Sequence, residues 1–420
     1  MPADDRSTPI TAKVARLGQS GDGVIETPRG AIYVPGVLPG ETVSLVDGVP
    51  GPVVGPLSPD RRQPLCTHVA RCGGCAVQHL ADVSYRTWKA GLLTEALAGS
   101  GIGTTPLPMF VVPLRSRRRA VLSARRSGRD TIIGFHSRRS DEIEPLVDCA
   151  ILKPAIVAGV PGLVRLSGEL LPPDAETHIT VIETSTGLDV AFDTGRKDLS
   201  ADARQRLAAT ATASRFARVS VAGDPVVIRH APVLDMAGVA VVPPPGAFIQ
   251  ASAAAETHMA GLVVEALGKA RRVADLFSGL GTFAFAMARR ASVLAVDGSR
   301  DLIEALDKAQ RGAAGLKPIE AKVRDLLLDP MSPRELNTLD AVVFDPPRGG
   351  AKAQAEALAR SDVPVVVAVS CNPQTLARDL RILGDGGYTL KAIAPVDQFL
   401  FSPHIEAVAV LAKPKRRRRL

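Results

Sequence analysis

The chain has 420 residues and a mass of 44.0 kDa, with 51 Lys and Arg against 43 Asp and Glu, a formal net charge of +8. A 46% hydrophobic and 22% charged content excludes a wholly disordered, collagenous or coiled-coil chain. No apolar run approaches the roughly 20 residues of a membrane helix. The N-terminus, MPADDRSTPI, is polar and acidic without a secretory signal, which predicts a cytoplasmic protein. In a reducing compartment its five cysteines bind metal or do chemistry rather than form a disulfide scaffold. The positive charge is concentrated: residues 61–130 carry 12 basic and 3 acidic side chains, and the last eight (KPKRRRRL) carry six basic and none acidic.

In chain order, residues 1–9 are expected to be a flexible N-terminus. Residues 10–60 alternate β-branched residues with Gly and Pro, the pattern of a small five-stranded OB-like β-barrel. Within it, GAIYVPGVLPGETV resembles the TRAM domain, an RNA-binding barrel appended to RNA-modifying enzymes. Residues 61–245 read as a mixed α/β central domain opening on a cysteine loop. There Cys66, Cys72 and Cys75 lie at C-x5-C-x2-C spacing, and Cys149 follows in LVDCAIL. Four thiolates suit a tetrahedral zinc or a [4Fe–4S] cluster. Structural zinc usually takes two C-x2-C pairs and here there is one, which favours the cluster; zinc and unliganded cysteines stay open. Tyr85 to Ala98 reads as a helix. The next stretch, PLRSRRRAVLSARRSGRDTIIGFH, reads as strands carrying Arg115, Arg117, Arg118 and Arg119 on one face. That face is either solvated or contacts RNA phosphates, and its closeness to the cysteine loop favours the contacts. HITVIET, LDVAFDT, ARVSVAG and PVVIRHA are further strands, and VVPPPGAF is a hinge.

Residues 246–412 alternate strands and helices, which predicts a mostly parallel sheet whose ligand lies at the carboxyl ends of its strands. Residues 413–420 form a basic tail. The first strand ends at Asp275, followed by FSGLGTF, where Gly279 and Gly281 let the backbone approach a ligand. A nicotinamide fingerprint needs a third glycine where this chain has Ala284. Asp297 ends the second strand, suited to ribose hydroxyls, and Asp325 the third, within reach of an adenine amine. Each acid alone could be a helix cap; together with G-x-G they describe an S-adenosylmethionine fold. The fourth strand ends in Asp345-Pro346-Pro347-Arg348. This is related to the D-P-P-Y signature of amino-group methyltransferases, but Arg replaces the aromatic on which they stack an adenine or cytosine. The fifth ends in Ser370-Cys371-Asn372-Pro373, and His404 and Glu406 precede a final strand.

A thiol and an acid beside a methyl donor suit methylation at C5 of a pyrimidine. That carbon is a poor nucleophile until a thiolate adds at C6, and a base must then remove the C5 proton. The barrel, the C-x5-C-G-G-C loop, DLFSGLGTF, DPPRGG, VSCNPQTLARDL and the closing H-x-E together resemble the RNA uracil-C5 methyltransferases, in the TRAM and iron–sulfur branch similar to 23S rRNA uridine methyltransferases. The resemblance implies a class I Rossmann-like catalytic domain, S-adenosyl-L-methionine and a [4Fe–4S] cluster as cofactors, and RNA as partner in a monomer. It makes Cys371 the nucleophile, Glu406 the base and Asp345 a contact to the uracil edge. Gln250, Phe277, Gly279, Gly281, Asp297, Asp325 and Asp345 would bind the cofactor, with Phe283 lining its loop. Cys66, Cys72, Cys75 and Cys149 would hold the cluster. Ser252, Ser278 and the run Phe399-Leu400-Phe401-Ser402 depart from common patterns, which bears on the RNA target. Ribosomal RNA is expected, with the T-loop of tRNA as alternative. A non-catalytic RNA-binding protein or a small-molecule methyltransferase fits fewer of these features.

Overall fold

The structure is a computed structural model in which residues 10–195 and 199–414 are described. The expected flexible segment 1–9 and the basic tail from residue 415 onward lie outside the described residues. Residues 10–54 form two three-stranded sheets: Ile10–Lys13 with Thr42–Val46 and Val49–Val54, and Arg16–Leu17 with Gly23–Thr27 and Gly30–Val34. Five strands were expected; the first is broken in two. Val14 N–H turns to Glu41 O (2.8 Å) and Ala15 N–H to Val24 O (2.8 Å), so one extended stretch serves both sheets. Val14, Ile25, Val34, Val37, Val43 and Leu45 fill the core between them.

A seven-stranded sheet follows, in the order Ile143–Pro145, Asp130–His136, Arg119–Ser127, Glu176–Thr184, Gly187–Asp193, Arg218–Val221 and Asp224–Ile228. The helices Pro154–Leu170 and Ala201–Ala213 share a core with it. The arginine run departs from expectation. The strand begins only at Arg119, and Arg115, with φ of 55°, lies in the preceding loop. The four arginines therefore do not share one strand face.

The third unit is an eight-stranded sheet in the order Ile319–Val323, Ser292–Asp297, Arg272–Leu276, Ala341–Phe344, Val365–Ser370, Glu406–Ala412, Thr389–Asp397 and Phe110–Val111. The first five strands are parallel, and Glu406–Ala412 runs antiparallel to both its neighbours. Successive side chains point to opposite faces of a strand, and these strands are apolar on both. Ala341, Val343, Val367, Val369 and Val408 enter one core; Val342, Phe344, Val366, Ala368, Ala407 and Ala409 enter the other. Burial on both faces is what helices on both sides of a parallel sheet demand. The helix Asp82–Gly99 belongs to this layer as well, placing Leu93, Ala96 and Leu97 in the second core.

Candidate active site

The nucleophile candidate sits where a strand turns into a helix. Val365–Ser370 ends at Ser370; Asn372 then caps the helix Pro373–Asp385, its Oδ1 accepting from Gln374 N–H (3.0 Å). Proline at the first helical position needs no donor and its φ suits the helix. Ser-Cys-Asn-Pro is thus a local instruction to end a strand and start a helix, and it leaves Cys371 at the junction. The antiparallel register pairs Ser370 with Ala407, so Cys371 and Glu406 are the next residues out at adjoining strand ends. Asp345 follows the neighbouring strand Ala341–Phe344.

The two acids are joined by two glutamines. Gln250 Nε2 donates to Asp345 Oδ2 (3.0 Å), Gln398 Nε2 donates to Gln250 Oε1 (2.7 Å), and the same Nε2 donates to Glu406 Oε2 (2.8 Å). Burial pushes the Asp345 carboxyl up, partly opposed by the Gln250 donor. Burial and then Asp345 push Glu406 up, opposed by Gln398. Burial, then Glu406 and Asp345, push the Cys371 thiol up to about 11, and Arg348 pulls it down. Arg348 Nη2 donates to His404 Nε2 (3.1 Å). Burial, then Arg348, hold His404 down to about 4, so its ring is neutral near pH 7 and accepts that bond. Gln398 was not singled out in the sequence; its signal is the polar pair Asp397-Gln398 in the otherwise apolar run PVDQFLF, where buried polar groups need partners.

The residues expected for a cofactor cluster at the adjoining strand ends. Phe277 (φ 61°), Gly279 (φ 54°) and Gly281 (φ 97°) turn the backbone after Arg272–Leu276. A Cβ at Gly279 would meet no atom within 4 Å, so open space lies over the loop, whereas at Gly281 it would strike the Phe285 ring at 2.7 Å. Gly279 thus leaves room for a ligand and Gly281 lets a helix pack. Asp297 accepts from Gly279 N–H (2.9 Å) and Ser299 N–H (2.8 Å), which fixes its carboxylate under the loop. Asp325 is exposed two residues beyond the strand Ile319–Val323 rather than at its end, turning the chain by accepting from Leu327 N–H (2.9 Å). Asp275 is fully buried, and burial pushes its carboxyl far up. Phe283 does not line the loop. It is buried in the core, because it lies on the sheet-facing side of the helix Thr282–Ala288.

Cys66, Cys72, Cys75 and Cys149 line one cavity of about 460 Å³, together with Arg117, Phe399 and His404. All are free thiols. Among the described residues, however, no group of three or more His, Cys, Asp or Glu is arranged to hold a metal ion. Burial above all pushes Cys75 up to about 12 and raises Cys72 and Cys149. Of the arginines, Arg118 is buried and paired with Glu256, and Arg119 Nε donates to Ala247 O (3.0 Å). Arg118 therefore ties the start of the central sheet to residues 250–256 and is not free to meet phosphate.

A parallel sheet, a glycine-turned loop after its first strand and acids beyond the next two define a class I S-adenosylmethionine-dependent methyltransferase. The family profile described as tRNA (Uracil-5-)-methyltransferase matches residues 329–414. The chain is 44% identical over 406 residues to an uncharacterized RNA methyltransferase of Brucella suis, covering 96% of this chain and 98% of that one. It is 32% identical to the 23S rRNA (uracil(1939)-C(5))-methyltransferase RlmD of Chromohalobacter salexigens, covering 99% of this chain and 92% of the relative. The same fold is found in the tRNA (uracil-54, C5)-methyltransferase of Pyrococcus abyssi, crystallised with S-adenosyl-L-homocysteine. There the TM-score is 0.72 at 22% identity, over 98% of this chain and 100% of that one. The chain belongs to the RNA uracil-C5 methyltransferase family, and it is an enzyme that uses S-adenosylmethionine on RNA.

Proposed function

We propose that this enzyme forms 5-methyluridine in 23S ribosomal RNA, with Cys371 as nucleophile and Glu406 as base. The observation that supports the reading is the register Ser370–Ala407, which brings the Cys371 and Glu406 positions to adjoining strand ends, near enough for Glu406 to raise the thiol. Bound S-adenosylmethionine supplies an electrophilic methyl group; Gln250, Phe277, Gly279, Gly281, Asp297, Asp325 and Asp345 would hold it. The Cys371 sulfur adds to C6, which gives C5 carbanion character. Asp345, whose raised affinity for a proton lets it donate as an acid, faces the uracil edge. Glu406 takes the C5 proton and the thiolate leaves. The target base must be unstacked to reach Cys371, so a loop or single-stranded uridine is the substrate. The RlmD relative supports ribosomal RNA, and the T-loop uridine of tRNA is the second reading.

The four cysteines on one cavity fit a [4Fe–4S] cluster in number and donor type. Anaerobic purification should give a brown protein with about four irons and four sulfides per chain; stoichiometric zinc would overturn this assignment. The mechanism is tested with 5-fluorouridine RNA, from which fluorine cannot leave as a proton. Wild-type enzyme with cofactor should form a covalent adduct that survives denaturation, and Cys371→Ala should form none. An adduct undiminished in Cys371→Ala would rule out this nucleophile.

A further inference from the structure

Resting on Glu406 as the base, we propose that Gln398 is a positioning residue that aims one oxygen of Glu406 at the C5 proton and ties it to the cofactor-binding Gln250. Gln398 is 2% exposed and directly follows the strand Thr389–Asp397, across a short loop from Glu406. Ala251 N–H donates to Gln398 Oε1 (3.0 Å). A backbone N–H can only donate, so this contact fixes which end of the amide is oxygen. Nε2 must then face the other way, where its two protons go to Gln250 Oε1 and Glu406 Oε2. Gln250 Oε1 is thereby an acceptor, which turns Gln250 Nε2 toward Asp345. One peptide N–H thus sets the polarity of a four-residue chain with a carboxyl at each end.

The consequence at Glu406 is an asymmetry between its oxygens. Oε2 is held by Gln398, while no donor among the described residues reaches Oε1. The step needing that oxygen is the last: Oε1 takes the C5 proton, the C5–H electrons form the C5–C6 double bond, and the S–C6 bond breaks to return the Cys371 thiolate. Without the Gln398 donor the carboxyl turns freely and the proton transfer loses its alignment. The earlier steps, addition and methylation, do not use Glu406.

The test uses unmodified transcripts of 23S rRNA and tRNA with S-adenosylmethionine. Gln398→Met keeps the volume and removes the donor. It should slow turnover about 10- to 100-fold, with KM for RNA within about threefold, and a methylated Cys371–RNA adduct should accumulate on natural RNA. Glu406→Gln run in parallel separates the readings. If Glu406→Gln accumulates adduct and Gln398→Met behaves as wild type, only the role of Gln398 is overturned. If neither accumulates adduct, Glu406 is not the base and the underlying reading fails. Gln398→Asn, an amide drawn back by one methylene, should show an intermediate adduct level. If neither Gln398 variant folds, Gln398 is a folding residue and the proposal is overturned.

Discussion

At the scale of single residues, the site sets two acids and a thiol against one cation. A half-buried thiol beside two carboxyls is a weak nucleophile at neutral pH, because partial burial, Glu406 and Asp345 all favour its protonated form. Alongside a backbone N–H, Arg348 is the charged group that opposes them. Replacing it with Met removes the opposing charge, so the Cys371 thiol should titrate at still higher pH. Iodoacetamide alkylation of the Cys371 peptide in RNA-free enzyme, followed by mass spectrometry, should be on the order of tenfold slower at pH 8. An unchanged rate would mean that Arg348 does not set the thiolate fraction. Glu406 works in the opposite sense: raised as it is, it must lose its proton before it can act. Release of product from the adduct should therefore rise with pH across the neutral to weakly alkaline range, and Glu406→Gln should abolish that rise. Cys371, Asp345 and Glu406 could be nominated from the sequence because each lies in a short motif beside a strand terminus. Gln398 was not nominated, since a hydrogen-bond chain that crosses 148 residues leaves no local pattern.

At the scale of elements, the loop between the last two strands is held from below by a helix far away in sequence. Lys89, on the helix Asp82–Gly99, is fully buried; its Nζ lies 2.9 Å from Asp397 Oδ1 and donates to Phe399 O (2.9 Å) and Ser402 O (2.6 Å). Tyr85 donates to Asp397 and accepts from Phe401 N–H (2.9 Å). The cysteine loop grips the same turn, where Ala76 N–H (2.7 Å) and Val77 N–H (3.1 Å) both donate to Phe401 O. The helix itself was readable from its run of Leu and Ala, but not its partner, because a lysine in a helix reads as a solvated side chain. Breaking a buried pair leaves an uncompensated charge. Lys89→Met should therefore cost about 3–5 kcal/mol in denaturant unfolding, and Lys89→Met with Asp397→Leu should recover most of it. Equal losses in the single and double variants would show that the pair does not act as a unit.

At the scale of the whole molecule, net charge is a poor guide to where RNA lies, because charges that look alike in sequence do different work. Arg118 is 6% exposed, pairs with Glu256, donates to Gln250 O (3.2 Å) and takes no part in the outer surface. Arg117 lies with its guanidinium 5.8 Å from the Phe399 ring centroid, beside the cavity shared by the four cysteines. Arg115 is exposed, and its only ion-pair partner among the described residues, Asp148, is half exposed at 3.5 Å. Three arginines within four positions thus divide into a joint, a wall and a loosely paired surface charge, a division set by contacts with residues 148 to 399. Two substitutions separate these roles. Arg118→Met should lower unfolding stability by about 3–5 kcal/mol, since it strands Glu256, and should leave the salt dependence of RNA binding unchanged in the folded fraction. Arg115→Gln should leave stability within about 0.5 kcal/mol. It should flatten the slope of log affinity against log salt by about 0.7, the release expected for one contact to a single strand. A flattened slope in Arg118→Met with normal unfolding would place the phosphate contact at Arg118 and require the Glu256 pair to open when RNA binds.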